Sequence, residues 1–235
     1  PLFGHKLRIP VLLAPIGAVE TFDPGGGAAG ARAAAKVGVC NMLSSVSAPG
    51  LEDTAASAKD GKMIFQLYVG GPDDFVDDHA VRAVKAGYKA FCITVDTQLY
   101  SRRERDLAKR YLPARRRVAQ GMDFQAAFDW EKVRRFKQPH KIPLILKGIA
   151  TAEDAKTALE LGVDGIYVSN HGGRQLDHGL GSAAVLPEVV KAVKGKAEVW
   201  VDGGFMRGTD VVKALALGAR TVGIGRLTGL GLAAA

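Results

Sequence analysis

PLILKGIATAEDAKTALELGVDGIYVSNH, residues 143–171, holds a complete strand–helix–strand unit. Its first part, Pro143–Ile149, is short and almost continuously apolar, the pattern of a parallel strand covered on both faces. Thr151 opens a Ser/Thr-x-x-acid pattern completed by Asp154, a cap for a helix over Ala152–Leu161 with apolar residues at helical spacing. Gly162 falls just past that helix, where a left-handed residue is often required. A second strand-sized apolar run, Gly165–His171, follows at once.

The same alternation extends in both directions. Further strand-like runs are Val11–Ile16, Cys40–Ser45, Met63–Tyr68, Ala90–Asp96, Glu198–Gly204 and Thr221–Arg226. Helical spacing recurs over Ala28–Val37, Leu51–Lys59, Asp73–Ala86, Ala183–Val193 and Thr209–Leu217, with Gly38, Gly87 and Gly218 just past helix ends. Eight strands alternating with helices predict an α/β fold, a (β/α)8 TIM barrel occupying residues 1–235 as a single domain. A doubly wound sheet is the alternative, but it usually has fewer strands and a switch point, and no such break is visible.

Two irregularities interrupt the repeat. Between the fourth and fifth strands, residues 97–138 form a long insertion with one helical piece around Trp130–Phe136. An insertion after a barrel strand lies on the active-site face, so this one is expected to act as a lid. At the other end, Leu232-Ala233-Ala234-Ala235 arrive where the helix after the eighth strand should begin. That last helix is expected to be missing, leaving apolar strand surface for something else to cover.

Composition narrows the function classes. The 235 residues are 47% hydrophobic and 24% charged, ordinary for a globular domain, and no apolar stretch approaches the ~20 residues of a membrane span. The net charge of +8 is concentrated: Arg102, Arg103, Arg105, Lys109, Arg110, Arg115, Arg116 and Arg117 crowd into the insertion. They read either as a solvated loop or as an attractor for anionic substrates or an anionic membrane surface. Tyr111 alone falls among them, short of the repeated aromatic interleaving that a nucleic-acid groove requires, so nucleic acid is not an expected partner. Cys40 and Cys92 sit in apolar runs without metal-ligand spacing. Free buried thiols are favoured over a disulfide, which fits a cytoplasmic protein, peripheral at a membrane if the basic cluster acts there.

In such barrels the reactive groups stand at the C-terminal ends of strands. The sixth run ends in Ser169-Asn170-His171-Gly172-Gly173-Arg174-Gln175-Leu176-Asp177. There a histidine able to exchange a proton near neutral pH adjoins glycines that let backbone approach a ligand and an arginine suited to a carboxylate. The fourth ends in Thr94-Val95-Asp96-Thr97, with Arg102-Arg103 soon after. Asp96 either partners a histidinium or caps the following turn. Lys147, after an apolar run, faces a flavin, a Schiff-base carbonyl, a phosphate or a structural carboxylate. Gln66-Leu67-Tyr68 puts two polar groups on one side of the third strand. The last two strands end in Val201-Asp202-Gly203-Gly204 and Gly223-Ile224-Gly225-Arg226, the usual phosphate position of this barrel class.

Taken together with Leu13-Ala14-Pro15-Ile16-Gly17, these segments resemble the FMN-dependent alpha-hydroxy acid dehydrogenase and oxidase family, which includes glycolate oxidase, L-lactate dehydrogenase, mandelate dehydrogenase and lactate oxidase. The resemblance runs from Leu2 to Leu232 and implies FMN as cofactor and oxidation of a small L-2-hydroxy acid to the 2-oxo acid. It implies that His171 takes the substrate hydroxyl proton, Asp96 steadies the imidazolium, Arg103 and Arg174 bind the carboxylate, and Tyr68 hydrogen-bonds the substrate. Hydride would pass to flavin N5 beside Pro15, Ile16 and Gly17. Ser44, Gln66, Thr94 and Ser169 would hold the ring and ribityl chain, and Lys147 would offset charge on the reduced ring. Asp202, Gly203, Gly204, Arg207, Gly225 and Arg226 would bind ribityl and phosphate. The electron acceptor is oxygen, a quinone or a cytochrome, and a homo-oligomer such as a tetramer is implied. Relatives commonly carry an arginine where this chain has Met206, and an N-terminal helical segment supplying another tyrosine that this chain lacks. Two other readings stand beside this one: a truncated, catalytically impaired flavin-binding barrel, and an aldolase-type barrel using Lys147 as a Schiff base.

Overall fold

The computed structural model describes residues 2–98, 103–111, 122–176 and 178–234. Eight parallel strands form a closed barrel in chain order: β1 (Val11–Leu13), β2 (Cys40–Ser44), β3 (Lys62–Leu67), β4 (Ala90–Thr94), β5 (Leu144–Ile149), β6 (Gly165–Val168), β7 (Glu198–Val201) and β8 (Thr221–Ile224). Leu12 pairs with Cys40 on one side and Gly223 on the other, so β8 returns to β1 and no sheet edge is left. The doubly wound alternative is thereby excluded. Around the barrel run α1 (Gly26–Val37), α2 (Leu51–Ser57), α3 (Asp73–Lys85), then α4 (Glu104–Ala108), α5 (Met122–Ala126) and α6 (Trp130–Lys137) within the insertion, followed by α7 (Ala152–Glu160), α8 (Ser182–Val193), α9 (Gly208–Ala216) and α10 (Arg226–Ala233).

Strand alternation divides the core into two layers. Leu12, Met42, Ile64, Cys92, Ile145, Tyr167 and Trp200 point inward and fill the barrel. Phe65, Ile93, Leu144, Ile166 and Val201 point outward and pack with helix residues such as Val76, Ala80, Ala155 and Val189. Burying each large side chain contributes roughly 1.5–3 kcal/mol. On β8 the inward position is Gly223, where an added Cβ would lie 2.0 Å from the Tyr167 hydroxyl, so the glycine is what admits that ring. Cys40 and Cys92 are buried free thiols in this interior, and burial raises both well above the usual thiol range.

The structure corrects one expectation outright. A helix does follow the eighth strand: α10 covers Arg226–Ala233 and packs against α1. Leu227, Leu230, Leu232 and Ala233 are adequate helix formers, and Gly229 is buried beside Phe22. Within the insertion the expected piece at Trp130–Phe136 is α6, capped by the Asp129 carboxylate on the Lys132 amide at 3.0 Å, while α4 and α5 are additional. Arg102, Arg115, Arg116, Arg117 and Asp177 lie outside the described residues. Strands expected to reach Ile16, His171 and Gly204 close at Leu13, Val168 and Val201. The residues beyond those ends turn over the rim. No helix among the described residues is long and apolar enough to cross a membrane.

Candidate active site

Moving two residues along each strand from the apolar interior layer reaches its next inward position. Met42, Ile64, Cys92, Ile145, Tyr167 and Trp200 are thus followed by Ser44, Gln66, Thr94, Lys147, Ser169 and Asp202, all buried. The barrel interior changes from apolar to polar within one layer. Gln66 Nε2 donates to Thr94 Oγ1 at 2.9 Å, while Gln66 Oε1 is buried without a partner among the described residues. Lys147 Nζ donates to Ser169 Oγ at 3.1 Å, Ser169 Oγ donates to Asp202 Oδ1 at 2.6 Å, and Lys147 Nζ lies 3.7 Å from Asp202 Oδ2. Burial alone would pull the Lys147 ammonium down. The Asp202 and Asp96 carboxylates outweigh it and hold the group up at about 12, so it stays charged.

One layer higher stand Tyr68, Asp96 and His171. His171 Nδ1 lies 3.0 Å from both Asp96 oxygens, and its Nε2 lies 3.0 Å from the Tyr68 hydroxyl. A carboxylate only accepts, so Nδ1 carries the proton and Nε2 presents a lone pair. Burial pushes the Tyr68 phenol up to about 12, partly opposed by Lys147, so it remains a donor to that lone pair. His171 itself has φ 57° and opens a left-handed turn with Gly172 and Gly173 (φ 67° and 72°). This turn swings the imidazole back across the mouth toward β4. The backbone is also placed from below: Ser169 Oγ accepts from the His171 amide at 3.2 Å. Asp96 is seated against Gly148, whose φ is 109° and whose added Cβ would lie 2.6 Å from Asp96 Cβ. Gln175 Nε2 donates to the Asp96 carbonyl at 3.3 Å.

The other half of the rim is built from backbone. Ile16 O accepts from Ser47 Oγ at 2.7 Å, and an added Cβ on Gly17 would reach Val46 at 2.6 Å, which holds the turn Pro15-Ile16-Gly17 close over β2. Gly203 and Gly204 have φ of 111° and 88°, and Gly225 has open space where a side chain would stand. Arg226 reaches toward Gly204, its guanidinium 3.8 Å from the Cβ position there. Arg207 precedes α9; its amide and that of Met206 each donate to Asp210 Oδ2 at 3.0 Å. Arg174, Arg207 and Arg226 are exposed, whereas Arg103 is half-buried and its charge acts on Tyr68.

The geometry therefore brings together His171, Asp96 and Tyr68 as one hydrogen-bonded set, and Lys147, Ser169 and Asp202 as another. Gln66 and Thr94 form a third. It places the glycines and Arg226 at one corner, while Arg174 and Arg207 are exposed. Gln125 escaped the sequence reading: it is buried, accepts from the Val69 amide at 2.8 Å and donates to the Thr94 carbonyl at 2.9 Å. It stands in the insertion beside Phe124, Ala126 and Ala127, outside any recognisable motif, and a lone amide among apolar neighbours does not announce which strand ends it will reach.

Comparison with known proteins agrees with this layout. The model of the FMN-dependent dehydrogenase family matches residues 1–235. The chain is 38% identical to a peroxisomal (S)-2-hydroxyacid oxidase of Arabidopsis thaliana, over 99% of this chain and 69% of that protein. It is 39% identical to an L-lactate oxidase of Lysinibacillus sphaericus, over 99% of this chain and 67% of that protein. A structure of mandelate oxidase with 3,3-difluoro-2-hydroxy-3-phenylpropionic acid superposes with a TM-score of 0.91 at 40% identity, covering all of this chain and 70% of the other. The chain belongs to the FMN-dependent dehydrogenase family.

Proposed function

We propose that this FMN-dependent dehydrogenase oxidises a small L-2-hydroxy acid to the 2-oxo acid, with His171 Nε2 as the base for the hydroxyl proton. One observation carries the reading: His171 is held between Asp96 and Tyr68 at 3.0 Å on each ring nitrogen, directly above the layer of Lys147, Ser169 and Asp202. As Nε2 gains a proton, the imidazole becomes a cation against the Asp96 carboxylate, which lowers the cost of forming it. Tyr68 donates to the substrate oxygen in place of Nε2. Arg174 and Arg103 supply positive charge for the substrate carboxylate from either side of the mouth.

The residues suit FMN on the structure's own terms. Gln66 Oε1 is a buried acceptor still open to an N–H of a ring. Lys147 is a permanent buried cation. The backbone at Gly204 and Gly225 is open beside Arg226 and the start of α10, as a phosphate requires. Pro15, Ile16, Gly17, Ser44, Gln66, Thr94, Lys147 and Ser169 would hold the ring and ribityl chain, and Asp202, Gly203, Gly204, Arg207, Gly225 and Arg226 the ribityl–phosphate end. FMN, when bound, supplies the acceptor for the hydride leaving the substrate carbon.

The aldolase reading is disfavoured by Lys147 itself. A Schiff-base lysine must shed its proton readily, whereas this one is held up at about 12 by carboxylates. The two free buried thiols support a reducing compartment such as the cytoplasm. Assembly as a homo-oligomer, and reoxidation by oxygen, a quinone or a cytochrome, are part of the same proposal. The test is an anaerobic screen of the full-length yellow protein with L-lactate, glycolate and L-mandelate. Bleaching by at least one acid is expected; a flavin that none of them bleaches overturns the reading.

A further inference from the structure

We propose that Gln125, carried by the insertion, is a positioning residue for the proton-transfer set at the barrel mouth; this role rests on the function proposed above. The last Cα pair between β3 and β4 is Leu67 with Ile93. Just past it lie the Val69 amide and the Thr94 carbonyl, and the Gln125 amide bonds both, at 2.8 and 2.9 Å. Its side chain thus spans the two strand ends as an extra peptide group would. Only 3% of the residue is exposed, so water does not substitute for it.

What those ends carry makes the clamp consequential. Val69 directly follows Tyr68, whose hydroxyl meets His171. Thr94 accepts from Gln66 and stands two residues before Asp96, whose carboxylate meets the other His171 nitrogen. Both partners of the imidazole therefore leave the barrel from strand ends held by one side chain. Glutamine is chemically required, because one end must accept from an N–H while the other donates to a carbonyl. Glutamate keeps the acceptor and loses the donor; methionine fills the space and loses both.

The experiment uses full-length flavoprotein with Gln125→Glu and Gln125→Met, reduced anaerobically by L-lactate or glycolate, whichever bleaches the wild type. Bound FMN per protein, limiting reduction rate, half-saturating concentration, melting temperature and photoreduction are measured. The expected result is retained FMN, normal photoreduction and a limiting rate lowered about 10- to 100-fold, with methionine the worse and the half-saturating concentration changed little. Wild-type limiting rates in a folded variant, with only a lower melting temperature, overturn the role and leave Gln125 as an anchor for the insertion. Loss of FMN from both variants overturns it too, by assigning Gln125 to cofactor retention. If the methionine variant does not fold, the rate of the glutamate variant decides. Wild-type protein that no 2-hydroxy acid bleaches sinks the proposed function and this role with it; normal bleaching with unaltered variants sinks the role alone.

Discussion

The arc of the rim from β3 to β6 and the arc formed by β7 and β8 satisfy their polar groups in opposite ways. In the first, side chains bond one another: Gln66 to Thr94, Tyr68 to His171, His171 to Asp96 and Lys147 to Ser169. In the second, Gly203, Gly204 and Gly225 offer bare backbone, and Arg207 and Arg226 reach solvent. Asp202 belongs to both, since it rises from β7 but bonds inward to Ser169. The first arc is preorganised by these mutual bonds, so in the proposed reaction its groups would need little reorganisation. The second sets exposed guanidinium groups beside open backbone, the arrangement of a site completed by an anion.

Substitutions should separate the two arcs. The largest effect is expected from His171→Ala, which removes the proposed base while leaving the second arc intact. The anaerobic reduction rate by hydroxy acid should fall about 10²- to 10⁴-fold with FMN still bound. Fast reduction in that variant would show that the chemistry is not housed in the first arc. Lys147→Met should follow, measured as stability rather than rate. It leaves Asp202 buried without its cation, 3.7 Å away in the native barrel, and urea titration should show a loss of about 3–5 kcal/mol.

Arg226→Ala probes the second arc alone. FMN affinity, read from fluorescence titration, should drop about tenfold, and the difference from wild type should shrink with added salt. The reduction rate of the loaded enzyme should be unchanged; a lowered rate would mean that the arcs are not separable. The smallest effect is on alkaline stability. Lys147 and Tyr68 are both raised to about 12, from ordinary values of 10.5 and 10.0. Each binds its proton more tightly in the fold than in the unfolded chain. Their contribution is therefore complete below about pH 10 and is lost as pH rises toward 12. Chemical denaturation at pH 8 and 11 should show this decline in the wild type, a weaker one in Lys147→Met, and an unaltered one in Arg226→Ala.

The two arcs also differed in how readable they were. Gly203, Gly204, Gly225 and Arg226 are contiguous with their strands, and a glycine-rich end on the last two strands already speaks of phosphate. His171 and Lys147 could likewise be picked out by their place at strand ends. Their partners were harder. Asp96 was open between capping a turn and meeting a histidinium, and only the left-handed turn at His171 brings the imidazole to its carboxylate. Gln125 carried no signal at all, because its position depends on how an irregular insertion folds back over two strand ends.

Local chemistry was enough to establish the eightfold alternation of buried strands and amphipathic helices, since the apolar runs, caps and terminal glycines act within a few residues of one another. It was also enough to mark which strand ends carry reactive groups. Only the closed barrel decided which of those groups meet. The His171–Asp96 pair joins residues 75 apart in the chain, and the helix over Arg226–Ala233 is held by packing on α1 from the opposite end of the sequence. Such contacts depend on strand register and closure around the whole ring, and no short segment encodes either.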